Sequence, residues 1–96
     1  MKKLTEEEIY KKLESLQGWE FDNNAIHTSF EFEDFKEAFS AMVRIAFEAE
    51  VQQHHPDWTN VYNQVEISLS THDAGGVTEK DFKLAESIES IINAGE

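Results

Sequence analysis

The only proline of the chain, Pro56, most constrains how this sequence can fold. It follows a long stretch with helical periodicity and precedes a run that alternates as a strand does. A proline cannot continue a helix, and it favours an extended conformation for the preceding residue, His55. We therefore predict that a long helix ends before Pro56 and that a strand begins after it. The polar residues 50–58 then lie at the end of a rigid element, where functional sites are often built.

Capping patterns mark the beginnings of three helices. Three pairs of residues have the spacing of an N-cap and its partner three positions later: Thr5 with Glu8, Asp34 with Glu37, and Thr78 with Asp81. Gly18 is a suitable end for the first helix. The third helix carries a stripe of apolar residues, and the tail from Asn93 to Glu96 is expected to fray.

Alternating apolar and polar residues between these helices predict two β-hairpins. The first runs from Trp19 to Phe32 around a turn at Asp22–Asn24, and the second joins strands 58–62 and 65–71 through a tight turn at residues 63–64. The element order α-β-β-α-β-β-α predicts an α+β fold, in which three helices pack on one face of a four-stranded antiparallel sheet. A chain of 96 residues is expected to form one domain, residues 1–96.

The predicted second helix is more apolar than a single core-facing stripe requires. Its first row, expected to cover the sheet, comprises Phe35, Phe39, Met42, Ala46 and Ala49. A second row lies beside it and comprises Val43, Phe47 and Val51. The extra apolar surface favours contact with another copy of the chain, as a homodimer or homotetramer. The alternative is a wide core-facing surface within a monomer.

The composition disfavours several classes of partner. A formal net charge of −12 argues against binding to nucleic-acid phosphates or to anionic membranes. The chain has no cysteine, which excludes disulfides and thiolate chemistry. No apolar stretch has the length of a signal peptide or a membrane span, so a cytoplasmic protein is expected.

Three of the four histidines, His54, His55 and His72, lie at predicted ends of helices or strands. Imidazole titrates near neutral pH, so these side chains are candidates for proton transfer. Glu50 precedes His54 by four residues, and on a helix the two side chains would share a face and pair. Asp81 could orient a histidine, although its capping position alone also accounts for it.

A metal site is the competing hypothesis, because three histidines and a carboxylate resemble a ligand set for zinc or iron. Against it, the neighbouring side chains of His54 and His55 should diverge, and the chain has no His-x-x-x-His pattern. Gly75–Gly76 lacks the features of a phosphate-binding loop, and no serine lies in a nucleophile-elbow motif.

These residues together resemble a known signature. The segment Glu50-x-x-x-His54-His55-Pro56, followed by Tyr62, His72 and Asp81, strongly resembles that of the pterin-4a-carbinolamine dehydratases. Further segments similar to that family are Gly18–Trp19, Asn60–Asn63 and Ser70–His72. The resemblance covers nearly the whole chain. Asp57 stands where many members carry glutamate, a change that keeps the carboxylate.

The resemblance implies a hydro-lyase that converts a 4a-hydroxytetrahydropterin to quinonoid dihydropterin and water, in the recycling of tetrahydrobiopterin for aromatic amino-acid hydroxylases. It implies the same fold, assembly into dimers or tetramers, and chemistry without metal or organic cofactor. Animal members also serve as dimerisation cofactors of a transcription factor. The alternative function is therefore a non-catalytic dimerisation, transcriptional-cofactor or pterin-binding module.

The resemblance also implies roles for particular residues. The catalytic residues would be His54, His55 and His72, with His54 and His72 as the acid/base pair and His55 orienting the ring. The expected substrate-binding residues are Glu50, Pro56, Ser70, Thr71, Asp73 and Asp81.

Overall fold

The structure, a computed structural model, describes residues 1–94. In chain order the elements are α1 (Glu6–Leu13), β1 (Glu20–Asp22), β2 (Ala25–Glu31), α2 (Phe35–Gln52), β3 (Asp57–Val61), β4 (Gln64–Leu69), a 3₁₀ turn (His72–Ala74) and α3 (Glu79–Asn93). The predicted element order is confirmed. The predicted domain and its fraying tail extend to residue 96, and their last two residues lie outside the described range.

All three predicted N-caps are confirmed. Thr5 and Thr78 form capping boxes with Glu8 and Asp81, and the Asp34 carboxylate accepts a hydrogen bond from the backbone N–H of Glu37. The first helix is shorter than predicted and ends at Leu13, because the next turns tighten into i→i+3 hydrogen bonds as far as Leu16.

The sheet has the strand order β1-β2-β4-β3, and every neighbouring pair is antiparallel. The first turn is at Asn23–Asn24, within the predicted segment Asp22–Asn24, of which Asp22 is the last residue of β1. Both turn residues have positive φ, as a type I′ turn requires. The second turn lies one residue earlier than predicted, at Tyr62–Asn63, with a φ of +52° at Tyr62. Asn63 anchors it by exchanging two hydrogen bonds with the backbone of Phe32, at 2.8 and 2.9 Å.

One face of the sheet carries the core and the other is polar. Strand register places Ile26 opposite Leu69 on the core face, and His27 opposite Ser68 on the polar face. The helices contribute further buried side chains to the core, among them Ile9, Ile45, Leu84 and Ile88. The prediction that the helices pack on one face is confirmed. None of the helices within residues 1–94 combines the length and apolarity that a membrane span requires.

The predicted core-facing row of α2 is partly wrong. The buried positions are small or aliphatic: Ala38, Ala41, Ile45 and Ala49. Three members of the predicted row, Phe35, Phe39 and Ala46, are exposed instead. The alanines allow close packing of α2 on the rest of the molecule, so the large aromatic side chains lie on its outer face. Both apolar rows therefore contribute to one exposed surface.

Candidate active site

The C-terminal end of α2 positions His54. Gln53 adopts a left-handed conformation, with φ of +54°, and ends the helix. The backbone N–H of His54 then donates to the carbonyl of Ala49 at 3.1 Å, a C-terminal capping bond. This turn directs the imidazole towards α3, where Nε2 lies 2.5 Å from Oδ1 of Asp81. Residues 27 positions apart are thereby joined.

Asp81 is completely buried, and both of its carboxylate oxygens are occupied. Oδ2 accepts hydrogen bonds from the backbone N–H of Thr78 at 2.8 Å and from the Thr71 hydroxyl at 2.9 Å. The hydroxyls of Thr71 and Thr78 lie 2.7 Å apart. Because an ionised carboxylate only accepts, Thr71 donates to it and Thr78 donates to Thr71. A directed chain of hydrogen bonds therefore ends on the carboxylate that holds His54.

This arrangement determines the tautomer of neutral His54. Nε2 carries the proton because it donates to Asp81. The other ring nitrogen, Nδ1, has no hydrogen-bond partner among residues 1–94. His54 also lines a cleft of about 260 Å³, together with Gln52, Lys80 and Lys83. A neutral imidazole with a free nitrogen and a fixed orientation is suited to accept a proton.

The predicted pairing of Glu50 with His54 is wrong. Glu50 lies 2.8 Å from Nε2 of His55 instead, and both side chains are mostly exposed. The reason is the left-handed turn at Gln53, which removes His54 from the helical face that carries Glu50. Two adjacent histidines thus contact two different carboxylates.

The remaining predicted site residues lie at the same end of the sheet. Asp57, the first residue of β3, pairs with Ser68, so the segment His54–Pro56 and the segment Ser70–Asp73 leave the sheet side by side. Ser70, His72 and Asp73 are exposed, and Pro56 is half-buried. Thr71 is buried, and its hydroxyl binds Asp81. Within residues 1–94, no three histidine, aspartate or glutamate side chains are placed to hold a metal ion.

The cleft residues Gln52, Lys80 and Lys83 were not predicted from the sequence. The contact between the buried Thr78 hydroxyl and Thr71 was not predicted either. Gln52 is fixed by hydrogen bonds to Glu48 and Ser87, each at 2.8 Å. The capping pattern identified Thr78, but nothing in a local pattern indicates that its hydroxyl contacts Thr71. No sequence signal marked the lysines, because charged residues on helix α3 are ordinary.

A second, wider groove of about 490 Å³ lies on the polar face of the sheet, and it contains none of the predicted catalytic histidines. His27 lines it and donates from Nε2 to the carbonyl of Asp22 at 2.8 Å. That bond gives His27 a structural partner, the backbone of the neighbouring strand.

An imidazole held by a buried carboxylate, with its second nitrogen free, is typical of acid/base enzymes. The family described as pterin 4 alpha carbinolamine dehydratase matches residues 2–91, and the chain belongs to this family. Proteins provisionally named pterin-4-alpha-carbinolamine dehydratase resemble it closely. One from Christiangramia forsetii is 66% identical, covering 98% of this chain and 97% of its own. Another from Paraburkholderia xenovorans is 50% identical, covering 93% and 95%.

A solved structure has the same fold. The crystal structure of a Brucella melitensis protein, described as a transcriptional coactivator/pterin dehydratase, matches with a TM-score of 0.90 and 44% identity. The match covers 93% of this chain and 97% of that one.

Proposed function

We propose that this protein dehydrates a 4a-hydroxytetrahydropterin to the quinonoid dihydropterin by histidine acid/base catalysis. Family membership and the names of close relatives support the reaction. The single observation that carries the mechanism is the buried His54–Asp81 pair, with Nδ1 of His54 left without a protein partner. The reaction would belong to tetrahydrobiopterin recycling, coupled to an aromatic amino-acid hydroxylase. A cytoplasmic location remains a prediction from the sequence.

The proposed step balances without a cofactor. Nδ1 of His54 takes the proton from the pterin ring N–H, and the nitrogen electrons form the new C=N bond. The C4a–O bond breaks, and the leaving hydroxyl receives a proton from protonated His72 to depart as water. Each proton transfer is typically worth about 10²- to 10⁴-fold in rate. The imidazolium formed on His54 faces the Asp81 carboxylate, which offsets its charge.

We assign the other predicted site residues to two roles: exposed residues contact the substrate, and buried residues position His54. We assign ring orientation to His55, held by Glu50, and contacts with the pterin edge to Ser70 and Asp73, beside the half-buried Pro56. Asp81 and Thr71 were predicted to bind substrate. Because both are buried and bonded to each other, we propose that they position His54 instead.

The test is the rate of dehydration of freshly generated 4a-hydroxytetrahydropterin, followed by its ultraviolet spectrum. We expect the protein to accelerate the reaction with and without a chelator, and His54→Ala and His72→Ala each to lose about 100-fold or more. His27→Ala is the matched control and should retain the parent rate. Near-parent turnover in either of the first two variants removes that histidine from the acid/base pair. Pterin binding without acceleration would favour the non-catalytic alternative.

We also propose that the protein is a homodimer or homotetramer. The exposed apolar surface of α2, which comprises Phe35, Phe39, Val43, Ala46, Phe47 and Val51, supports this proposal. The Brucella melitensis relative is described as a coactivator as well as a dehydratase, and a second role of this kind would use the same surface. Sedimentation as a monomer at tens of micromolar would contradict the assembly. A dissociation constant in that range corresponds to roughly 6 to 7 kcal/mol of association free energy.

A further inference from the structure

The cleft that His54 lines is separate from the residues to which we assign the pterin ring. The residues assigned to the ring and its leaving hydroxyl do not line it: His55, Ser70, His72 and Asp73. Its volume of about 260 Å³ is also smaller than the roughly 300 to 1,000 Å³ of a pocket that encloses a whole ligand. The cleft therefore suits one substituent of the substrate and not the ring itself.

Two lysines of α3 give this cleft a cationic wall. Lys80 directly precedes Asp81, and Lys83 follows Lys80 by three residues, so the two exposed lysines share a face of the helix. Neither lysine forms a salt bridge within the described part of the chain. Glu79 also lines the cleft, but its carboxylate pairs with Lys12 at 2.9 Å, which offsets its charge.

The end of α2 forms the other wall through Gln52. The amide nitrogen of Gln52 donates to the Glu48 carboxylate and to the Ser87 hydroxyl, each at 2.8 Å, so this side chain is held in place. Gln52 adds no charge of its own. Lys80 and Lys83 are therefore the lining side chains whose charge is not offset by a salt bridge.

More of the cationic residues of the chain lie around this cleft. Met1 lines it, and the N-terminal segment is held beside α3 because the backbone N–H of Leu4 donates to the carbonyl of Val77 at 2.8 Å. The chain has only eight lysines and arginines against a net charge of −12. Four of the eight belong to the two segments that border the cleft: Lys2, Lys3, Lys80 and Lys83. This concentration of positive charge attracts an anionic group.

We propose that the cleft binds an anionic substituent of the substrate, a phosphate or carboxylate on the side chain of the pterin, through Lys80 and Lys83. This inference rests on the proposed function and deepens it, because it names the class of pterin. His54 borders both parts of the substrate: its Nδ1 takes the ring proton, and its ring lines the cleft that receives the charged group. The lysines act on substrate affinity and not on proton transfer.

Binding of stable, oxidised pterins tests the cleft without reference to turnover. Three ligands differ only in the side chain, which is a neutral hydroxyalkyl group, its phosphate ester or a carboxylate of similar length. Calorimetry should give the better anionic ligand a Kd about 10-fold lower than the neutral one, because exposed ion pairs are individually weak and two act together. Which anion binds more tightly identifies the group that the cleft takes.

Lysine variants assign that preference to the cleft. The double variant, Lys80→Gln with Lys83→Gln, should bind the charged and neutral pterins alike. Lys36→Gln, which removes an exposed lysine at the start of α2, is the matched control and should keep the preference. Circular dichroism checks the fold of each variant. Equal affinity for charged and neutral pterins in the parent would overturn the proposal, and so would a preference that survives in the double variant.

Turnover supplies a second readout. With the 4a-hydroxytetrahydro forms of the neutral and the preferred anionic pterin, the parent should show a KM about 10-fold lower for the charged substrate at similar kcat. The double variant should raise that KM to the value for the neutral substrate. A binding preference for the anion without dehydration of either substrate would refute only the proposed reaction.

Discussion

His54 and His55 are neighbours in the sequence, and each contacts a carboxylate, but the two pairs lie in opposite surroundings. The side chains of His54 and Asp81 are 11% and 0% exposed, and those of His55 and Glu50 are 62% and 70% exposed. Water screens the second pair and competes for its hydrogen bond, whereas the first is fixed by a buried network. The comparison teaches that adjacent histidines of one motif can lie in opposite surroundings, and this difference is why we propose proton transfer for His54 and ring orientation for His55.

The largest effect is expected for Asp81→Asn. An amide can donate to Nε2 of His54 and so favour the tautomer with the proton on Nδ1, which removes the proposed base. We expect kcat to fall by about 10²- to 10⁴-fold with little change in KM. Nitrogen-15 NMR of the His54 ring should report the changed tautomer, which a purely structural role would not alter. A kcat within a few-fold of the parent, with the tautomer unchanged, would refute the positioning role.

The second prediction compares a buried with an exposed capping box, each formed by a threonine. Thr5 caps α1 at the surface, whereas Thr78 caps α3 inside the network that holds Asp81. Thr78→Val removes the acceptor of the Lys80 N–H and the donor to Thr71. We expect it to lower the free energy of unfolding by about 2 kcal/mol, with a smaller loss for Thr5→Val because water can replace the exposed cap. Urea denaturation measures both, and equal losses would count against the network.

A smaller change is expected for Glu50→Gln. The exposed pair with His55 is worth only about 0 to 1 kcal/mol, so the rate should fall by no more than about fivefold. The measurement is kcat/KM at a protein concentration at which the parent is fully assembled. A loss as large as that of Asp81→Asn would show that exposure does not separate the two histidines.

The comparison also explains what the sequence could predict. Capping boxes and hairpins are local patterns, so Thr5 with Glu8, the Asn23–Asn24 turn and Thr78 with Asp81 were all predictable. The bond between Asp81 and His54 joins distant segments and depends on one left-handed residue, Gln53, which no periodicity signals. The same periodicity could not tell which apolar face of α2 meets the core. In the structure the core-facing side of α2 carries mostly alanines, and Phe39 is exposed on the opposite side.

The smallest effect is expected at Glu8, the exposed counterpart of Asp81. The backbone N–H of Thr5, followed by its hydroxyl, lowers the pKa of Glu8 from its ordinary value of 4.5. A carboxylate whose pKa is lower in the folded state stabilises the fold above its unfolded pKa, and that contribution is lost as the pH falls through the folded pKa. Glu8→Gln keeps an oxygen that accepts from Thr5 but removes the charge. The variant should therefore unfold at slightly lower urea concentration than the parent at pH 7, and the difference should vanish at a pH below the folded pKa. Dehydration rates should be unchanged. A stability difference that persists undiminished in acid would mean that side-chain shape, and not charge, accounts for this cap.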